Sequence, residues 1–542
     1  MNLRLHKLYL SFSCVFLFHT LLSAQTHPPR AEEDPLSTVI YLLSTTDKDD
    51  DESAKVCLAK SLARGDRYEE VQRAADMIES KSYVDDDLVE VVQELITRRK
   101  EKEASTFLSF LLGRFANDAD RLESLVRPMI LLKRDAELEA LVDKLEDSDK
   151  VDFWFKTADV YREVGQPEKA LAALAKTVKP AMASEFAQGR AELALQYARL
   201  GRQTEALELL QTLLNEPQLK AGEFHVVHDV ADAYRALGRY SDAYEIHRRF
   251  DNGLNIDETR DLIGTASRLI SKGDRQRALD TLARALAQLD PKEYGDSFNL
   301  GNIIETYLQI GEIQKAEQVA MSIAGSEYMQ QGQLLAVVDR YTKAGNKAKA
   351  REILRFLLEQ TYTIDTSEAE SGSVWTSGKW DQARYQSQIA IRYMNLRDDK
   401  EALRLTAQLR KPYLRALILT EYVAINRNRI SAKKLASHLE EAIALLRREK
   451  VDIFDSRKFD VYAIAARNFA ELGMTERANA IFAEELSKLR EEMIEGGRGS
   501  LLFAMCNIGV EFERSNIRAD RRVKESLREI IRSWENDDFP HY

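Results

Sequence analysis

Cysteine is nearly missing from this chain: there are 3 in 542 residues, Cys14, Cys57 and Cys506. That excludes the disulfide framework that staples small secreted domains, so the fold must stand on packing. Cys57 and Cys506 lie toward opposite ends of the sequence, and no bridge between them is expected. The chain holds no CxxC, HExxH or GxSxG and no Walker loop, the usual signatures of metal, hydrolytic and nucleotide-driven enzymes. No catalytic residue, metal or cofactor is therefore expected, and a non-enzyme is. Asn-X-Ser/Thr is absent too, which points toward a bacterial secreted protein. Basic charge is not in surplus: Lys and Arg number 78 against 89 Asp and Glu, a formal charge of −11. An acidic chain without a basic cluster argues against nucleic acid as its ligand.

What the chain does have is a repeat. The stretch Ala266 to Pro291, ASRLISKGDRQRALDTLARALAQLDP, reads as a helix, a Gly273-Asp274 turn, a second amphipathic helix and a stopping proline. Ala266 and Ala278 stand where two helices must approach closely, and Leu282 and Ala285 continue the buried face of the second. One such hairpin cannot bury its apolar face alone, so neighbours of the same kind are required. Turn glycines recur at Gly165, Gly201, Gly238, Gly273, Gly311 and Gly345, spaced by 36, 37, 35, 38 and 34 residues. Five residues after each lies an alanine: Ala170, Ala206, Ala243, Ala278, Ala316 and Ala350. Four before lie Tyr161, Tyr197, Tyr234, Leu269, Tyr307 and Tyr341, and seven before lie Ala158, Ala194, Ala231, Ala266, Ile304 and Val338. Glycine permits the positive φ that ends a helix, alanine admits the facing helix, and the aromatic fills the space toward the next pair.

This pattern of small residue, aromatic, turn glycine, alanine and closing proline resembles the tetratricopeptide repeat. Pro180, Pro217 and Pro291 fall near the family's terminal proline, whereas its first-helix tryptophan is missing, so the copies are degenerate. The resemblance implies an all-α fold, a right-handed superhelical solenoid of about 12 helical hairpins. More worn turns are expected at Gly65, Arg99 and Arg134-Asp135, and, beyond a break in the period, near Arg397, Arg427, Gly473 and Asn516.

The chain divides accordingly. Residues 1–24 have Arg4 and Lys7, an apolar stretch from Leu8 to Leu22 and a small residue at Ala24, the pattern of a cleaved secretory signal peptide. Its removal takes the charge from −11 to −13 and leaves no apolar run near ~20 residues, so no membrane insertion is expected afterwards. Residues 25–35 form a polar lead-in, and 36–360 the hairpin array, with an acidic loop at Asp47–Glu52 that lacks the ligand spacing of a calcium site. Residues 361–381, TYTIDTSEAESGSVWTSGKWD, are a Ser/Thr/Gly-rich insertion carrying Trp375 and Trp380. Helical repeats continue over 382–534, and 535–542 is a tail.

The candidate partner-binding residues are of two kinds. Asp159, Arg162, Arg199, His225, His228, Asp232, Arg235, Glu305, Asp339 and Lys343 occupy first-helix positions that, in the family resembled, line the inner concave surface. Two histidines a helical turn apart can ligate a metal. Asp232 lies ~10 Å along the axis from His225, too far to close that site, so the stripe reads as polar contact surface. Trp375 and Trp380 form an aromatic pair in a polar loop, able to anchor a partner or to tuck over the array. The resemblance implies a secreted or periplasmic scaffold that binds a protein or peptide partner in a helical groove. A sensor or carrier of a small ligand or envelope glycan, with the Trp loop as lid, is the alternative.

Overall fold

The computed structural model describes residues 31–45, 52–78, 84–116, 118–183, 187–220, 223–250, 258–271, 273–324, 326–362, 378–448, 457–493 and 497–536. The segment 1–24, most of the lead-in and the acidic loop, Trp375 and the last residues of the tail lie outside that set. Among the described residues the regular structure is entirely helical, arranged as successive antiparallel hairpins of tetratricopeptide-like geometry.

The turns show why the pattern works. Gly165, Gly201, Gly238, Gly273, Gly311, Gly345 and Gly473 all adopt positive φ, between 74° and 79°. The amide after each glycine donates to the carbonyl four residues before it, as Gln166 does to Tyr161 and Arg202 to Tyr197, both at 2.8 Å. This closes the helix in a Schellman motif, and the aromatic is the residue whose carbonyl accepts. The alanines at the following offset, from Ala170 through Ala350, are fully buried, as are Ala158, Ala194, Ala231 and Ala266 on the facing helices. Two of the tyrosines also reach back to the preceding hairpin: Tyr161 Oη donates to Asp135 at 2.5 Å and Tyr341 Oη to Glu317 at 2.8 Å.

Several details differ from expectation. The worn turns use non-glycine residues in the left-handed region, Asp66, Lys133, Arg99, Arg397 and Asn516, the first two displaced by one residue from Gly65 and Arg134. The Arg427 turn has no left-handed residue. There the Asn426 carbonyl accepts from Arg429 and Ile430, at 2.9 and 3.0 Å, while its buried side chain donates to Tyr422 O at 2.9 Å. Pro180 lies inside the helix Pro167–Ala183 and does not stop it. The first helix among the described residues, Pro35–Ser44, begins one residue before the expected array, capped by Asp34.

Two compact units result. Leu111–Gln408 is one, a run of hairpins from Val126–Leu131 onward in which each first helix packs on the next. The insertion does not break it: the helix Gly378–Asn395 packs on Glu327–Lys343 and Lys347–Thr361, with Arg392 paired to Asp339 at 2.8 Å. The other unit is built from both the N-terminal part, to Phe110, and the C-terminal part, from Leu409.

That second unit overturns the expectation that Cys57 and Cys506 stay apart. The helix Pro35–Ser44 packs against Gly497–Arg514 and Arg521–Glu535, and Glu52–Arg64 packs against Gly497–Arg514. Arg67 pairs with Asp34 at 2.5 Å and Glu513 at 3.4 Å, and Tyr41 donates to Glu535 at 2.6 Å. Glycines permit the approach. A Cβ on Gly509 would meet Leu36 Cγ and Cδ2 at 2.6 Å, and one on Gly65 would meet Glu513 Cγ at 3.2 Å.

Candidate partner-binding face

In the unit Leu111–Gln408, three consecutive first helices, Asp147–Glu163, Ala187–Arg199 and Phe224–Ala236, lie side by side. Their small positions, with Tyr161 and Tyr234, are buried, and Tyr197 is half-buried. Positions thirteen, nine, six and two or three before the turn glycine fall one helical turn apart and form a polar stripe on the opposite side, interrupted on the middle helix by the buried Leu195.

Most of the predicted residues stand on this stripe. Asp159 accepts from Arg162 Nη2 at 2.8 Å and, from the next hairpin, faces Arg199 Nη1 at 3.4 Å. Asp232 pairs with Arg235 one turn along its helix. His225 is exposed and His228 half-buried on that same helix. Among the described residues no group of three or more His, Cys, Asp or Glu side chains could hold a metal ion.

Two carboxylates that sequence reasoning passed over complete the stripe. Burial raises the Glu192 pKa, opposed by its hydrogen bond from Gln196 Nε2 at 2.7 Å. Asp229 is pushed up to about 7, by burial first and then by Glu192 and Asp232, with Arg199 opposing. Asp152 is also raised, by burial and by Asp149. The signal was present: Glu192 and Asp229 both lie nine residues before a turn glycine, the position Lys156 holds in the preceding copy. The arginines of the stripe pair with Asp159 and Asp232, while burial holds Glu192 and Asp229 toward their neutral forms.

The other candidates stand elsewhere. Glu305 is exposed on Ser297–Gln309, as are Asp339 and Lys343 on Glu327–Lys343, and Asp339 is an ion-pair staple to Arg392 across the insertion. Trp380 belongs to the first turn of Gly378–Asn395 and not to the loop. Two exposed aromatics were missed, Tyr294 at 67% and Phe298 at 65% exposure, four residues apart beside the start of Ser297–Gln309. In the other unit an open cavity of about 510 Å³ is lined by Tyr68, Phe107, Arg67, Glu70, Lys102 and Glu103 among others.

No protein-family profile and no curated protein matches the chain. Solved structures of helical-repeat proteins do. The maize pentatricopeptide repeat protein PPR10 is 14% identical, covering 93% of this chain and 78% of its own, with a TM-score of 0.27. The human IFIT1 dimer with PPP-AAAA is 14% identical over 84% of this chain and 94% of its own, at 0.24. The P58(IPK) TPR domain is 13% identical over 84% and 99%, at 0.17. Likeness at this level says nothing of ligand or partner. Among the described residues no helix is long and apolar enough to cross a membrane.

Proposed function

We propose that this chain is a non-enzymatic helical-repeat scaffold that binds a protein or peptide partner through the stripe on Asp147–Glu163, Ala187–Arg199 and Phe224–Ala236. The observation that carries the reading is the pair Glu192 and Asp229. Both are half-buried carboxyls on an accessible face, raised in pKa by burial, while the arginines around them are committed to Asp159 and Asp232. A Lys or Arg side chain of a partner would add a cation beyond the arginines already paired on this face, and its arrival would ionise Asp229. The sequence of residues 1–24, with Arg4, Lys7 and the apolar stretch from Leu8 to Leu22, supports a reading of export, in which that partner is met in the periplasm or outside the cell.

The test is affinity capture from the protein's own envelope fraction, comparing wild type with the Asp229→Asn, Glu192→Gln double variant. A partner polypeptide recovered by wild type and reduced at least tenfold by the variant supports the reading. That is about 1.4 kcal/mol, in the range of a charge-assisted contact. Equal capture by both removes the stripe from function, and release of a glycan or small molecule without a polypeptide favours the alternative sensor role.

A further inference from the structure

The unit formed by the two ends of the described chain brings together the thiols of Cys57 and Cys506. Cys57 is on Glu52–Arg64 and Cys506 on Gly497–Arg514, helices packed directly against each other. Packing of these helices makes the two thiols electrostatic neighbours of each other and of Ser61, and both are free. They are not equivalent. Cys506 is fully buried, whereas Cys57 is partly accessible and feels the positive charges of Lys60 and Arg64 on its own helix.

We propose that Cys57 and Cys506 are a redox site: a disulfide-class oxidant converts them to a disulfide that locks the N-terminal helices onto the C-terminal ones. The environment sets the order of events. The hydrogen bond from Cys506 lowers the Cys57 pKa, with Ser61, Arg64 and Lys60 adding to it and burial opposing. The Cys506 thiol is driven up by the same contact and by burial. Cys57 is therefore the attacking thiolate. Its sulfur attacks one sulfur of an external disulfide RSSR, forming Cys57–S–S–R and releasing RS⁻. Cys506 then loses its proton to that thiolate or to water and attacks the Cys57 sulfur, expelling the second RS⁻. Two protein thiols and one RSSR become one protein disulfide and two RSH, so the two electrons leave with the small thiols.

The site differs from a structural bridge inside one hairpin, because it ties residues 57 and 506 across the whole intervening chain. Without it, the junction rests on apolar packing around Leu36 and Gly509 and on the ion pairs of Arg67. Closing it would suppress opening of that junction while leaving each hairpin as it was.

The experiment incubates the native full chain with oxidised glutathione, then alkylates remaining thiols in denaturant and maps them by peptide mass spectrometry. The expected result is joint loss of labelling at Cys57 and Cys506, a cross-linked peptide pair, faster migration on a non-reducing gel, and reversal by dithiothreitol. Hydrogen exchange in helix Pro35–Ser44 should slow at least about tenfold on oxidation, since sub-global opening governs exchange there. In Cys506→Ser, Cys57 should stop at the glutathione adduct, and in Cys57→Ser, Cys506 should stay reduced. Wild-type thiols that both remain alkylatable, or a Cys57 adduct that never passes to Cys506, overturn the proposal even if the variants fold poorly.

Discussion

Replacing Gly509 by alanine tests the junction directly, because the structure puts a number on what the new methyl meets. Its Cβ would stand 2.6 Å from Leu36 Cγ and Cδ2 and 3.4 Å from Leu36 N. Leu36 is fully buried, so its side chain has no solvent to swing into. Overpacking of this kind destabilises by about 1–3 kcal/mol. Against it runs the gain from alanine in a helix interior, about 0.5–1 kcal/mol relative to glycine. The clash wins, leaving a net loss of about 1–2 kcal/mol. Urea unfolding of the full chain measures it, and hydrogen exchange locates it in Pro35–Ser44 and Gly497–Arg514. Leu36→Ala by itself removes a buried side chain and destabilises by about 2–5 kcal/mol. In the double variant the new methyl enters the space that leucine vacated, so the loss should fall short of the sum by at least about 1 kcal/mol. A Gly509→Ala chain as stable as wild type, with additive behaviour in the cycle, would refute the packing of these two helices.

Two further outcomes are expected from the other unit. Ala278→Leu should destabilise by about 1–3 kcal/mol, because Ala278 and Ala266 are both fully buried where their helices meet, and thermal melting with exchange should show the damage reaching neighbouring hairpins; melting like wild type would show the close approach to be absent. The Asp229 carboxyl has a folded-state pKa raised from 3.8 to about 7, so its protonated form is favoured by the fold. The stability it contributes is present below pH 4 and lost as pH rises through about 7. Screening by solvent and by its interaction with Glu192 reduces the full linkage effect to about 1–2 kcal/mol. Asp229→Asn should therefore gain on wild type by that amount between pH 5 and pH 8 in urea titrations, and parallel profiles would contradict the burial-driven shift.

The hairpins were legible because each rule of the repeat is local. A glycine in left-handed conformation, the residue four before it and the alanine five after it are set by one helix end and one crossing, so spacing alone places them. The worn turns were harder for the same reason. At Asp66 and Lys133 the left-handed residue stands one place from the expected one, and a lysine side chain does nothing to announce that conformation. Gly65 misled in an instructive way: it is small because Glu513 passes close to it, while its neighbour Asp66 makes the turn. A turn glycine and a contact glycine look alike in one dimension.

The union of the two chain ends was not read from the sequence, although one feature pointed to it. A terminal helix of an open array needs a polar outer face. Pro35–Ser44, PLSTVIYLLS, has none, and Leu36, Val39, Ile40, Leu42 and Leu43 are all buried along with Ser37 and Thr38. Such a helix must be covered on more than one side. Its own neighbour Glu52–Arg64 supplies one cover, and among the described residues Gly497–Arg514 and Arg521–Glu535, distant in sequence, supply the rest. The partner is Gly497–Arg514, whose Gly509 takes the small place of its own hairpin and also receives Leu36. Locating that partner requires knowing how successive hairpins accumulate rotation, a property of every packing angle together and of no single residue. The same limit hid the Cys57–Cys506 contact. Two cysteines 449 positions apart carry no mutual signal until the helices that bear them are brought side by side. Glu192 and Asp229 were hidden differently: the offset of nine was available in the sequence, but only the half-burial of both carboxyls shows that this position is desolvated, and desolvation is what raises both pKa values.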